Sequence, residues 1–189
     1  MTSIYDFEVI KQNGEVESLK KYEGKTLLIM NSATHSRFTA QYPSIDILYN
    51  EFKDRDLFIF DFPSNDFGNT PEDDSEITQF LEDMYEVSFP QYKKVNVKGN
   101  NQSPLFKFLE ENTKFNGFNE KHPTYNYLVE ECQKEDNDFM NNSKIKSDFT
   151  KFLVNPKGEI VRIEATAFMD SLKYEIIKAV ENNKLNFGE

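Results

Sequence analysis

The chain predicts a three-layer α/β domain, a mixed central sheet flanked by helices with a β-hairpin at its N-terminus. Three observations carry that expectation. Short apolar runs at residues 27–30 and 57–62 read as buried strands, and they alternate with stretches whose apolar residues recur every three or four positions, the helical period. Turn signals near both ends, Asn13-Gly14 and Asn155-Pro-Lys-Gly158, separate paired strand-like segments. The length, 189 residues, suits a single domain with a full core, spanning 1–189.

Taken in order, residues 3–9 and 15–19 form the predicted hairpin, and 25–31 the first central strand. Residues Phe38, Tyr42, Ile45, Leu48, Tyr49 and Phe52 share one face of a helix. Pro43 falls near its start, where proline is tolerated, so the regular helix is expected to begin about there. Residues 57–62 are a second buried strand, parallel to the first because a helix joins them. Asp73, Asp74 and Ser75 precede Ile77, Phe80, Leu81 and Met84, a helix with acidic residues favourably placed at its N-terminus. Residues 87–97 read as a strand entered through Pro90. Ser103-Pro104 opens a short helix reaching 111. Residues 112–146 are rich in Asn, Lys, Glu and Asp, and read as a polar, surface-exposed insertion with a helical turn or two at 125–132. That insertion is the expected place for disorder or an oligomer contact. A second hairpin, 149–154 with 159–164, and a last helix ending near Asn182 complete the order.

Composition narrows the function classes. A net charge of −11 disfavours nucleic acid and anionic membranes as partners. No stretch approaches the roughly 20 apolar residues of a membrane span. The first residues lack the basic and apolar regions of a signal peptide, so the expected compartment is the cytosol. One cysteine, Cys132, cannot form an internal disulfide or a two-cysteine redox cycle. Two histidines, His35 and His122, exclude a multi-His metal centre. No repeat or Gly-rich phosphate motif is present, and no cofactor is expected.

Three segments carry a family resemblance. Asn31-Ser-Ala-Thr-His-Ser-Arg-Phe-Thr-Ala-Gln-Tyr42 resembles the peroxidatic loop of glutathione peroxidases, Asn-x-Ala-Ser/Thr-x-Cys-Gly-Phe-Thr. Phe62-Pro-Ser-Asn-Asp-Phe-Gly-Asn69 resembles that family's Phe-Pro-Cys-Asn-Gln-Phe-Gly loop, and Ser147-Asp-Phe-Thr-Lys-Phe-Leu-Val154 its Trp-Asn-Phe-x-Lys-Phe-Leu-Val segment. Residues 85–90 resemble its Tyr-Gly-Val-x-Phe-Pro. The resemblance covers nearly the whole chain except the insertion, and it implies a thioredoxin-like fold. It also implies that the family's peroxidatic Cys or selenocysteine falls on Ser36, its Gln on Asp66, its Trp on Ser147 and its Asn on Asp148. The Cys of the Phe-Pro-Cys loop falls on Ser64, the resolving Cys of some members on Leu81 or Glu82, and the Gly after the nucleophile on Arg37. Some members carry a long segment at 112–146 and assemble as tetramers, so a homodimer or homotetramer is a further expectation.

These replacements have chemical consequences. Thiol peroxidase chemistry needs a thiolate that is oxidised to a sulfenic acid and then reduced. A serine hydroxyl supplies neither. Ionised Asp66 and Asp148 only accept hydrogen bonds, where the family presents neutral N–H donors. The resemblance therefore implies a member with its tetrad replaced and a binding or regulatory role. The alternatives are a weak peroxidase working through Cys132, or a divalent-cation site built from the carboxylates and hydroxyls. Ser36 beside His35 and an Asp also invites a hydrolase reading, although neighbouring residues seldom place a base on a nucleophile. The plainer expectations are Ser36 as a helix cap, the two aspartates bonded to local backbone N–H groups, Cys132 as an incidental thiol, the functional alternative for it being an exposed reactive thiol or an intermolecular disulfide, and Arg37 and His122 as surface residues, with Arg37 able to pair with Asp66 or Asp148.

Overall fold

The structure is a computed structural model that describes residues 1–181. Among the described residues, six strands and five α-helices follow one another: β1 (Glu8–Ile10), β2 (Val16–Ser18), β3 (Thr26–Ser32), α1 (Tyr42–Phe52), β4 (Leu57–Pro63), α2 (Asp74–Tyr85), α3 (Pro104–Glu111), α4 (Tyr125–Glu135), β5 (Lys151–Val154), β6 (Ile160–Ile163) and α5 (Met169–Glu181). The expected end of the last helix, Asn182, lies outside the described residues. β1 and β2 pair antiparallel as the N-terminal hairpin. The main sheet runs β4-β3-β5-β6, with β3 parallel to β4 and antiparallel to β5, and β5 antiparallel to β6. A mixed sheet is thus present, as the sequence predicts.

The alternation of side chains along these strands builds two cores. Leu28, Met30, Leu57, Ile59 and Leu153 face one side, where α1, α2 and α5 pack. Leu27, Ile29, Phe60, Phe62, Phe152 and Val154 face the other, against the hairpin and α3. Successive strand residues point to opposite faces, so a strand covered on both sides reads as a continuous apolar run. α1 begins at Tyr42 after a 3-10 turn over Thr39–Gln41, with Pro43 in its first turn. Its missing N–H is one that the first turn leaves unpaired anyway. α2 is capped by Asp73, which accepts from Glu76 N–H at 2.9 Å while the Glu76 carboxylate accepts from Asp73 N–H at 2.9 Å, a capping box.

Two expectations are corrected. Residues 87–97 make no regular strand. They touch the sheets only through two isolated bridges, Gln91 with Asp61 of β4 and Tyr92 with Lys11 just beyond β1. Pro90 has no N–H to give a ladder, and the neighbouring Lys94 N–H is taken by the Asp74 carboxylate at 2.8 Å. The segment is held by buried Phe89, Tyr92 and Val97 instead. The insertion is likewise no exposed loop: α4 has three turns, and Phe115, Phe118, Leu128, Cys132, Phe139 and Ile145 are buried. The polar residues around these side chains masked their pattern. Phe115 and Phe118 meet edge to face at 5.0 Å between centroids, a favoured geometry.

Candidate functional site

Two parallel strands, β3 and β4, end at the same edge of the sheet where antiparallel β5 begins. The loops after β3 and β4 and the loop before β5 must therefore meet there. Ser36, Asp66, Ser147 and Asp148, one or two from each loop, line a single cavity of about 710 Å³.

Each loop is tied down locally. Ser36 is half-buried; its Oγ accepts from Phe38 N–H at 3.1 Å and its own N–H donates to Thr39 Oγ1 at 2.9 Å. Thr39 Oγ1 in turn donates to the Ala33 carbonyl at 2.9 Å. Ser36 thus caps the turn that enters the 3-10 segment, whereas the residue before α1 is Gln41, with no side-chain cap. His35 pairs with Glu72, and no hydrogen bond joins its ring to Ser36 among the described residues. That geometry gives the hydrolase reading no base. Arg37 pairs with neither aspartate; its guanidinium stacks over the Tyr127 ring of α4 at 3.9 Å, a cation–π contact. His122 is half-buried, its ring packed between Phe38 and Phe168.

Asp66 accepts from the backbone N–H groups of Val97 and Lys98, the latter at 3.2 Å, and from the Ser64 hydroxyl at 3.3 Å. It fastens the 97–98 turn to the loop after β4. Asp148 behaves differently. It is 2% exposed, and its Oδ2 accepts from Asn69 Nδ2 at 2.7 Å while Oδ1 has no partner. Burial pushes its carboxyl up to about 7; Asn69 opposes that shift, the Asp66 charge adds to it, and Lys98 opposes it. Ser147 is 4% exposed and its Oγ is also unpartnered.

The 147–150 loop is clamped to β3. Asn31 Nδ2 donates to the Ser147 carbonyl at 3.1 Å, and Phe149 N–H donates to the Asn31 carbonyl at 2.6 Å. Phe149 is fully buried with φ +62°, a region that bulky residues adopt only under strain of about 1–3 kcal/mol. Behind it, Lys151 is buried and donates to Gln41 Oε1 and the Phe149 carbonyl, both at 2.8 Å. Burial pulls its ammonium down to about 7. Asp61, across Met30 in the same sheet row, accepts from Tyr42 OH at 2.8 Å, and burial pushes it up to about 6.

α4 forms the remaining wall. Lys98 pairs with Glu135 of α4 at 2.7 Å, and Cys132 faces the cavity. Cys132 is 7% exposed, which opposes the alternative of an exposed reactive thiol, and burial pushes it up to about 11. Sequence reasoning missed Asn69, Lys98, Lys151 and the whole α4 wall. Asn69 and Lys151 lie within the quoted motifs, which is a signal that could have found them; the α4 wall was hidden by its polar average.

A family model described as Glutathione peroxidase matches residues 4–110, a span holding Ser36 and Asp66 but not Ser147 or Asp148. The chain is similar to the protein named Glutathione peroxidase homolog BsaA of Staphylococcus epidermidis, at 38% identity over 180 residues, 94% of this chain and 99% of that one. Among solved structures it resembles T. cruzi GPX1, with a TM-score of 0.68 at 22% identity, covering 95% of this chain and 97% of that one. It also resembles a putative thioredoxin from Neisseria meningitidis, with a TM-score of 0.59 at 14% identity, covering 96% and 93%. The fold is thioredoxin-like.

Proposed function

The chain belongs to the glutathione peroxidase family, and on that premise we propose that it is a member without thiol peroxidase activity whose cavity serves a binding or regulatory role. The observation that carries this reading is Ser36. It occupies the position where the family motif has its sulfur or selenium, and its hydroxyl is already engaged by Phe38 N–H. Oxygen lacks the oxidation ladder on which the family reaction depends. The other three motif positions support the same reading. Asp66 accepts hydrogen bonds rather than donating them, and Ser147 and Asp148 stand where the motif has Trp and Asn.

The test is turnover of hydrogen peroxide and of a lipid hydroperoxide, with glutathione and with thioredoxin as reductants. We expect none above the uncatalysed rate. Robust turnover by the chain as written sinks the proposal. Ser36→Cys is expected to stay a poor peroxidase, because Asp66 and Asp148 beside a new thiol raise its pKa when ionised. A second reading, a weak or reductant-dependent peroxidase working through Cys132, is favoured by the placement of that thiol in the same cavity. Its burial and raised pKa oppose it. Loss of any residual turnover in Cys132→Ser would select it.

The divalent-cation alternative gains no cluster of three or more His, Cys, Asp or Glu among the described residues. A rise in melting temperature with millimolar Mg²⁺ or Ca²⁺ would revive it. No described helix is long and apolar enough to cross a membrane. The proposal sets the protein in the cytosol, and light scattering checks whether it is a homodimer or homotetramer.

A further inference from the structure

The main sheet runs β4-β3-β5-β6, so β6 is an edge strand. At its hairpin, Asn155 N–H donates to the Glu159 carbonyl at 3.0 Å. Bonded pairs alternate along an antiparallel ladder. Val161 and Ile163 therefore exchange bonds with β5, while the N–H and C=O groups of Ile160 and Arg162 point outward. Among the described residues, no backbone or side-chain group bonds to those outward groups. Such an edge is a template for one more strand.

The surroundings suit the side chains of that strand. Val161 stands opposite Leu153 on the α5 face of the sheet, and Ile160 stands opposite Val154 on the α3 face. On the α5 face a cavity of about 570 Å³ is lined by Val161, Ile163, Ala167, Asp170, Tyr174 and Glu175. On the α3 face a second, of about 480 Å³, is lined by Ile160, Glu111, Thr113 and Lys114. Val161 and Arg162 line both, so the cavities meet at the edge itself. Successive residues of a strand point to opposite faces, and an added strand sends its side chains alternately into the two cavities. Neither cavity shares a lining residue with that of Ser36.

Charge selects the occupant. Glu164, Asp170 and Glu175 line the α5-side cavity against Lys114 and Arg162. The Arg162 side chain is 2% exposed and already spent on Glu164 and on the Ser143 and Lys144 carbonyls. Among the described residues Asp170 has no ion-pair partner and Glu175 has only Lys178, at 3.5 Å, a surface pair that water screens. Tyr174 and Val161 are exposed beside these carboxylates. Carboxylates around an exposed ring suit the cationic head and apolar stem of arginine or lysine. The α3-side cavity offers both charge signs and polar side chains, which suits small polar residues. A net charge of −11 repels a second copy and draws a basic partner.

We propose that the β6 edge is a docking site for an extended basic segment of a partner protein, which adds as a strand and places Lys or Arg at alternate positions in the α5-side cavity. Main-chain bonds supply affinity in this mode and the alternating pockets supply specificity.

The probe is a capped hexapeptide of alternating threonine and arginine, added to the full chain. Two further arms are its backbone N-methylated form, which keeps charge and side chains but lacks the donors, and the threonine–glutamate hexapeptide. Fluorescence anisotropy reads affinity, and amide hydrogen exchange by NMR reads Ile160 and Arg162. The arginine peptide is expected to bind and to slow exchange at both amides about tenfold or more, N-methylation to weaken binding about tenfold, and the glutamate peptide not to bind. Asp170→Asn combined with Glu175→Gln should weaken the arginine peptide severalfold. Equal binding of the N-methylated or glutamate peptide, no binding at the highest soluble peptide concentration, or unchanged exchange at saturation overturns the proposal. Protection of both amides already present in the free chain also overturns it: protection that grows with chain concentration assigns the edge to a second copy, and protection that does not assigns it to the chain itself.

Discussion

Asp148→Asn tests the electrostatics of the cavity through folding stability alone. Asn keeps a carbonyl oxygen to accept from Asn69, so the 2.7 Å hydrogen bond has a counterpart in the variant. The wild-type carboxyl ordinarily titrates at 3.8 and is held at about 7 in the fold. A carboxyl raised on folding favours the native state at low pH, below the unfolded value. That contribution is lost as pH rises towards the folded value, because the unfolded state then releases a proton that the native state keeps. Integrated over the full shift, the loss is about 4 kcal/mol, and between roughly pH 5 and pH 8 it is about 2.5 kcal/mol. The stability difference, variant minus wild type, should therefore grow by about 2.5 kcal/mol over that range. Urea denaturation followed by far-UV circular dichroism measures it at each pH. A difference that stays flat within about 0.5 kcal/mol would show that Asp148 titrates normally, and the reading of a desolvated carboxyl would be wrong.

Two other perturbations probe the scaffold behind the cavity. Phe149→Ala should cost about 3–5 kcal/mol for a lost buried ring, and Phe149→Gly should be less harmful than the Ala variant by about 1 kcal/mol, because glycine relieves the positive φ; an Ala variant as stable as the Gly variant in urea refutes strain at this residue. Lys151→Met removes an ammonium pulled down from 10.5 to about 7. A base depressed on folding costs stability at low pH, where it is protonated inside the fold; the folded Lys151 sheds its proton before the unfolded one, so wild-type stability rises as pH passes the folded value, and the advantage of the Met variant should shrink by about 2.5 kcal/mol from roughly pH 6 to pH 9, opposite in sign to Asp148→Asn; urea titrations at the two pH values check the slope.

Much of the architecture was legible because periodicity reports burial directly. The runs at 27–30 and 57–62 became β3 and β4, Asp73 capped α2, and Asn13-Gly14 turned the first hairpin. The failures have a common cause. Residues 87–97 look like a strand by composition, yet whether a segment pairs depends on which backbone groups its neighbours offer. Residues 112–146 look exposed because their average is polar, while six buried apolar side chains decide their place.

The candidate site divides the same way. The sequence alone determined which residue types meet there: motif order brings the loops of Ser36, Asp66 and Ser147-Asp148 to one edge of the sheet, and a serine has no redox chemistry wherever it sits. Only the tertiary structure decided their states. Asp66 and Asp148 are the same residue type, but one is bound to backbone N–H groups and the other is desolvated with an unpaired oxygen. Cys132 and Tyr127 became walls of the cavity only because α4 packs across it. Charge and reactivity depend on solvent exclusion and on partners distant in sequence, and neither is a property of a residue's letter.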